Sequence, residues 1–134
     1  MAVNTTPIFT LIPVIGVAQI ASANTGRDGS GTLGTVVTGA TDGTRITKIT
    51  IKATGNTTAG MVRLYIADAA GTPVISLWLE ILIVAYTVSA TVKAFSETIL
   101  LFGENALILP AGYSLRASTH NTETFNVIAE GGNF

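Results

Sequence analysis

The chain of 134 residues has no cysteine, one histidine and one tryptophan. Without cysteine there is no disulfide framework, no thiolate nucleophile and no Cys-ligated zinc. With His120 alone, a His-based metal cluster or a cupin-like site needing several histidines is excluded. Charge is scarce as well: Asp, Glu, Lys and Arg make up 11% of the residues, against about 25% in an average soluble domain. The seven basic residues are scattered and the formal net charge is −1, so no stretch is suited to neutralising a phosphate backbone and no nucleic-acid partner is expected. Long apolar runs are also missing. The longest, residues 73–88, carries Ser76 and Glu80 and is too short to span a bilayer, so no membrane role is expected. Residues 8–20 are uncharged, and Ala21-Ser22-Ala23 has the small-residue character of a cleavage site. No Lys or Arg precedes Arg27, however, and Pro13 and Gly16 interrupt the run, so the segment is expected to be structure rather than a secretory leader.

Hydrophobic residues make up 48% of the chain and the mean hydropathy is +0.55, the opposite of a disordered composition. The length suits one domain. Turn signals recur at short intervals: Asp42-Gly43, Gly55-Asn56, Gly71-Thr72-Pro73, Gly103-Glu104-Asn105, Pro110-Ala111-Gly112 and Gly131-Gly132. Between them lie short runs rich in Val, Ile, Thr and Tyr, which fit a pleated, half-buried surface. This pattern predicts an all-β fold, a single antiparallel β-sandwich of jelly-roll type. The Gly/Thr/Ser-rich stretch 24–34 divides the chain into an N-terminal arm with its loop, residues 1–34, and a sandwich body, residues 35–134.

Strands are predicted over residues 14–23, 35–38, 44–54, 60–68, 73–88, 91–101, 106–109, 113–119 and 125–129. In the third, Ile49, Ile51 and Ala53 fall on one face and Lys48, Thr50 and Lys52 on the other. In the fourth, Val62, Leu64 and Ile66 face in, and Arg63 and Tyr65 face out. These two runs flank residues 55–59 and are expected to form a hairpin. The run 73–88 is apolar on both faces: Leu77 and Leu79 on one, Trp78, Leu82, Val84 and Tyr86 on the other. An antiparallel sandwich normally leaves one face to water, so a doubly apolar strand needs a second cover. In a chain with so few charges that cover is expected to be a subunit interface. The expected interface residues are Ile8, Phe9, Leu11 and Ile12 in the arm, with Trp78, Leu82, Val84 and Tyr86 in the body.

Little else points to chemistry. Gly29-Ser30-Gly31-Thr32-Leu33-Gly34 matches the dinucleotide fingerprint literally, yet Thr35-Val36-Val37-Thr38 continues as a strand and not a helix. A loop is expected there. His120 lies in Ser118-Thr119-His120-Asn121-Thr122, which reads as an exposed hairpin tip; a dyad would need Ser118 or Ser114 placed beside it. The acids are dispersed, mostly at turns. Glu80 is the exception, within an apolar run. It is expected to be partly exposed or paired with a basic side chain such as Arg63 or Arg116, or else to be a buried pair fixing subunit register. No enzyme, cofactor or metal site is expected.

The run Leu107-Ile108-Leu109-Pro110-Ala111-Gly112-Tyr113-Ser114-Leu115-Arg116-Ala117, followed by Phe125-Asn126-Val127-Ile128-Ala129 and the closing Glu130-Gly131-Gly132-Asn133-Phe134, resembles small virion structural proteins of tailed bacteriophages. The nearest type is the head decoration, or cement, protein with a β-sandwich body. Arg45-Ile46-Thr47-Lys48-Ile49-Thr50-Ile51 before a Gly-rich turn is in keeping with it. Residues 1–34 are not covered. The resemblance implies a trimer or other homo-oligomer on the capsid surface, seated on the major capsid protein or another virion protein, and no catalytic residues. The alternative reading is a tail or fibre module that binds a host glycan through exposed aromatics.

Overall fold

Alternation over Thr44–Ala53 (β3) places Ile49, Ile51 and Ala53 in the core, with Lys48 exposed and Thr50 and Lys52 half-buried on the other face. The structure is a computed structural model and describes residues 9–134. Ile8 lies outside these residues. The other strands are β1 (Ile12–Ile20), β2 (Gly34–Thr38), β4 (Gly60–Ala67), β5 (Ile75–Ile83), β6 (Ser96–Leu100), β7 (Leu107–Leu109), β8 (Ser114–Thr119) and β9 (Phe125–Asn133), with one 3-10 turn at Gly103–Asn105. The protein is an all-β sandwich of two antiparallel sheets. The front sheet has the order β1-β9-β3-β6, with β7 also on β3; the back sheet has the order β2-β8-β4-β5. Ile46, Ile49, Ile51, Val127 and Ala129 from the front meet Val62, Leu64, Leu115 and Ala117 from the back, all with no exposed surface.

The expected hairpin of β3 and β4 does not form. Both edges of β3 are occupied, by β9 on one side and by β6 and β7 on the other, so β4 belongs to the back sheet. The intervening segment crosses between sheets and is tied to the chain after β5: Thr57 and Tyr86 exchange backbone hydrogen bonds, and the Thr57 hydroxyl donates to the Val84 carbonyl at 2.7 Å.

β1 belongs to the expected arm, yet it pairs with β9 along its whole length, from Ile12 opposite Asn133 to Ile20 opposite Phe125. Its inward residues Ala18 and Ile20 are buried, so this part of the arm is an edge strand of the body. The physical reason is the alternation itself: an uncharged segment with small and branched residues on one face gains more by burying that face than by reaching out. Gly131-Gly132, read as a turn, continues β9. The β3 register shifts between Ile46 and Lys48, and this bulge brings the Arg45 carbonyl so close to Gly131 that no side chain would fit.

The run 73–88 is a strand only over Ile75–Ile83. Here too a bulge changes the faces. Leu64 lies opposite Leu79, but Tyr65 lies opposite Leu77, leaving Trp78 as the extra residue. Trp78 therefore packs against the core together with Leu79 and does not point away from it. Arg63 and Tyr65 also depart from expectation. They lie on the outer face of β4, yet they are 2% and 0% exposed.

Candidate interaction surfaces

What covers the outer face of the back sheet is the Gly/Ser-rich segment between β1 and β2. Residues 21–33 leave the end of β1, cross β4 and reach β5 before returning to β2. Ala23 bridges to Thr119 at the end of β8, and the Asn24 amide donates to the Thr119 carbonyl at 2.8 Å. The buried Asn24 side chain closes the segment's neck, donating to the carbonyls of Ser30 and Thr32 at 2.9 and 3.1 Å and accepting from the Gly26 amide at 3.0 Å. Such a self-packed loop with neighbouring ends is an Ω-loop. Beneath it, the Tyr65 hydroxyl donates to the Gly26 carbonyl at 2.9 Å and Arg63 Nη1 donates to the Asn24 carbonyl at 3.3 Å. Gly29, with a positive φ of 84°, lies directly on the Ile75 side chain, where a Cβ would collide. The sequence that matched the dinucleotide fingerprint is part of this cover.

Glu80 joins the cover to the sheet. Arg27 Nε donates to both of its carboxylate oxygens at 3.0 Å, and Arg63 Nε donates to Oε2 at 3.3 Å. The Glu80 side chain is 30% exposed and Arg63 is buried, so the ion pair spans from solvent into the sheet. The hydrogen bond from Arg27 holds the Glu80 carboxyl below its ordinary range, aided by Arg63. Expected partial exposure and pairing with Arg63 are thus found together, whereas Arg116 donates to the Ser114 hydroxyl instead. His120 is half-buried, not exposed. Its ring Nδ1 lies 3.5 Å from Arg63 Nη1, and among the described residues no hydrogen bond joins it to Ser114 or Ser118.

Among the described residues the front sheet has no such cover. Its outer face runs in cross-strand rows: Ile15, Glu130, Lys48 and Leu100 in one, Val17, Ile128, Thr50 and Thr98 in the next. The middle is polar, with Lys48 and Glu130 paired at 3.3 Å. The borders are apolar and wet. Ile15 and Val17 on β1 are 68% and 57% exposed, and Leu100 and Ile108 on the far side are 54% and 56% exposed. Of the expected interface residues, Phe9, Leu11 and Ile12 are exposed beside this β1 border. Leu82, Val84 and Tyr86 form a second exposed group, continued by Val88 and Val92, where the chain leaves β5. Trp78 belongs to neither. The sequence reading missed Leu100, Phe102 and Ile108.

Two depressions mark the surface of the described residues. One, of about 300 Å³, lies at the neck of the Ω-loop beside Gln19, Ser22, Thr32 and Ser118; the other, of about 470 Å³, lies between Asp42, Arg45, Ile108 and Phe134. Among the described residues no group of three or more His, Cys, Asp or Glu is placed to hold a metal ion, and no helix is long and apolar enough to cross a membrane. No family model, curated protein or solved structure matches the chain.

Proposed function

We propose that the protein is a non-catalytic structural component of a virion, of the capsid decoration or cement type, which stabilises the particle by packing as a homo-oligomer. One observation carries this reading: a charge-poor sandwich leaves two groups of large apolar side chains in water, from Phe9 to Val17 and from Leu82 to Val92. Contiguous exposed apolar patches mark interaction sites, and burial is favourable by about 25 cal/mol per Å² of apolar surface. The partners would be further copies of the chain, in a trimer or larger, and the major capsid protein or another virion protein, with the sandwich on the capsid surface.

The strand pairs support a jelly roll as the finer fold. β4 pairs with β5, β3 with β6 and β7, β2 with β8, and β1 with β9. These are the pairs of one long hairpin, bent after β4, whose two arms wind together across both sheets. A module recognising a host glycan through exposed aromatics is the second reading. It ranks lower because the exposed rings of Phe9, Tyr86 and Phe102 sit on three separate segments.

Sedimentation at micromolar concentration tests the proposal. A trimer or larger assembly, and retention on particles to which the protein is added, are the expected results. A monomer that does not bind particles, or specific capture on a glycan array, would overturn it.

A further inference from the structure

The Ω-loop is held unequally at its two ends. Its near end is fixed by the backbone: the bridge from Ala23 to Thr119, the hydrogen bond from Asn24 to Thr119, and the buried Asn24 side chain that closes the neck. Its far end, on the edge strand β5, rests on the contact of Gly29 with Ile75 and on one ion pair, Arg27 with Glu80, whose side chains are 56% and 30% exposed. Between the ends lie Arg63 and Tyr65, the two large side chains that would be uncovered if the far end lifted.

We propose that residues 21–33 are a strap hinged at Asn24 and latched on β5 by the Glu80 carboxylate, so that loss of that negative charge frees the strap and uncovers the outer face of the back sheet. The latch is a single group serving two cations. Arg27 comes from the strap and Arg63 from the sheet, and both donate to Glu80. The other ionisable groups around it cannot replace it. Tyr65 is engaged with the Gly26 carbonyl, and His120 faces Arg63 from the end of β8. Arg116 on β8 is bonded to Ser114. Asp28, the strap's own acid, accepts from the amide and hydroxyl of Ser30 at 3.1 and 2.6 Å. Once Glu80 is neutral, two guanidinium groups and the His120 ring lie together with no carboxylate among them. Carboxylates paired in the folded state lose that contribution when protonated. Because the hydrogen bond from Arg27 holds the Glu80 carboxyl below its ordinary range, the latch is fully present above that range and is released as pH falls through the lowered value.

Hydrogen exchange of the full chain, read by mass spectrometry as protection factors, tests this directly. At neutral pH, Arg27→Ala should raise exchange in peptides covering residues 21–33 roughly fivefold, the upper end of what an exposed ion pair contributes. Peptides from β3 and β9 should be unchanged, because Arg63 keeps its partner in this variant. Glu80→Gln should show at least the same opening. In acid the wild type should lose protection over the strap before it loses any in β3, while Glu80→Gln, already unlatched, should show no such step. Wild-type exchange over residues 21–33 in Arg27→Ala would overturn the latch. An acid step that survives in Glu80→Gln would equally overturn the assignment to Glu80.

Discussion

The outer faces of the two sheets differ in what covers them and in what lies beneath. On the back sheet the chain folds over itself, and a full Arg and a Tyr are buried there, Arg63 at 2% and Tyr65 at 0% exposure. On the front sheet nothing in the described residues lies across β1, and Ile15, at 68% exposure, stands in water beside the Lys48–Glu130 pair. Polarity is thus inverted relative to a simple sandwich: charged and hydroxyl groups lie under the strap, and aliphatic groups lie outside. Burying Arg63 is tolerable because Glu80 and the Asn24 carbonyl accept from it; an unpaired charge there would be costly. The difference teaches that alternation sets which residues share a face, while the cover decides which face is wet.

The comparison can be broken most decisively at Tyr65. If the back sheet's outer face is a second core, Tyr65→Ala should cost about 3–5 kcal/mol, as for other buried aromatics. Chemical denaturation measures this, and a loss below about 1 kcal/mol would show that the strap buries little. Trp78→Ala comes next. The bulge turns this half-buried ring inward, so the expected cost is roughly 2–3 kcal/mol of fold stability, less than for a fully buried aromatic. A variant that keeps its melting midpoint but fails to associate would return Trp78 to the interface.

The front face should respond in the opposite way. Ile15→Lys should leave stability within about 0.5 kcal/mol, as for most surface substitutions. In sedimentation it should nevertheless weaken self-association about tenfold or more if the β1 border is an interface centre. Equal association of variant and wild type would exclude this border. The smallest effect is expected at Lys48→Ala. Its pair with Glu130 is exposed on both sides, so about 0.2–1 kcal/mol should be lost, and the difference from wild type should shrink in high salt.

Much of the architecture was legible. Thr44 to Ala53 announced a half-buried strand because Ile49, Ile51 and Ala53 alternate with Lys48, Thr50 and Lys52, and those inward residues are the core. The apolar exposure of Leu82 was legible because two apolar faces cannot both fit one core, whereas Val84 and Tyr86 lie past the end of β5 and are exposed where the chain leaves the sheet. The strap was not legible. Arg27 and Glu80 are 53 positions apart, and no local pattern links them. Gly29-Ser30-Gly31 signals a loop and says nothing about where that loop lies.

The sequence by itself determined an all-β sandwich with a charge-poor surface, because alternation and turn residues act over a few positions and composition acts everywhere. Only the tertiary structure decided that β3 and β4 part into different sheets, since that depends on which distant strands already occupy the edges of β3. The two bulges were decided there too. Each is a one-residue slip, and a slip of one residue carries Trp78 to the core or brings the Arg45 carbonyl against Gly131. The side of the molecule that stays open was settled in the same way. Burial of Arg63 and Tyr65 beneath a loop 39 residues earlier in the chain is a long-range contact, and nothing in their neighbours along the chain encodes it.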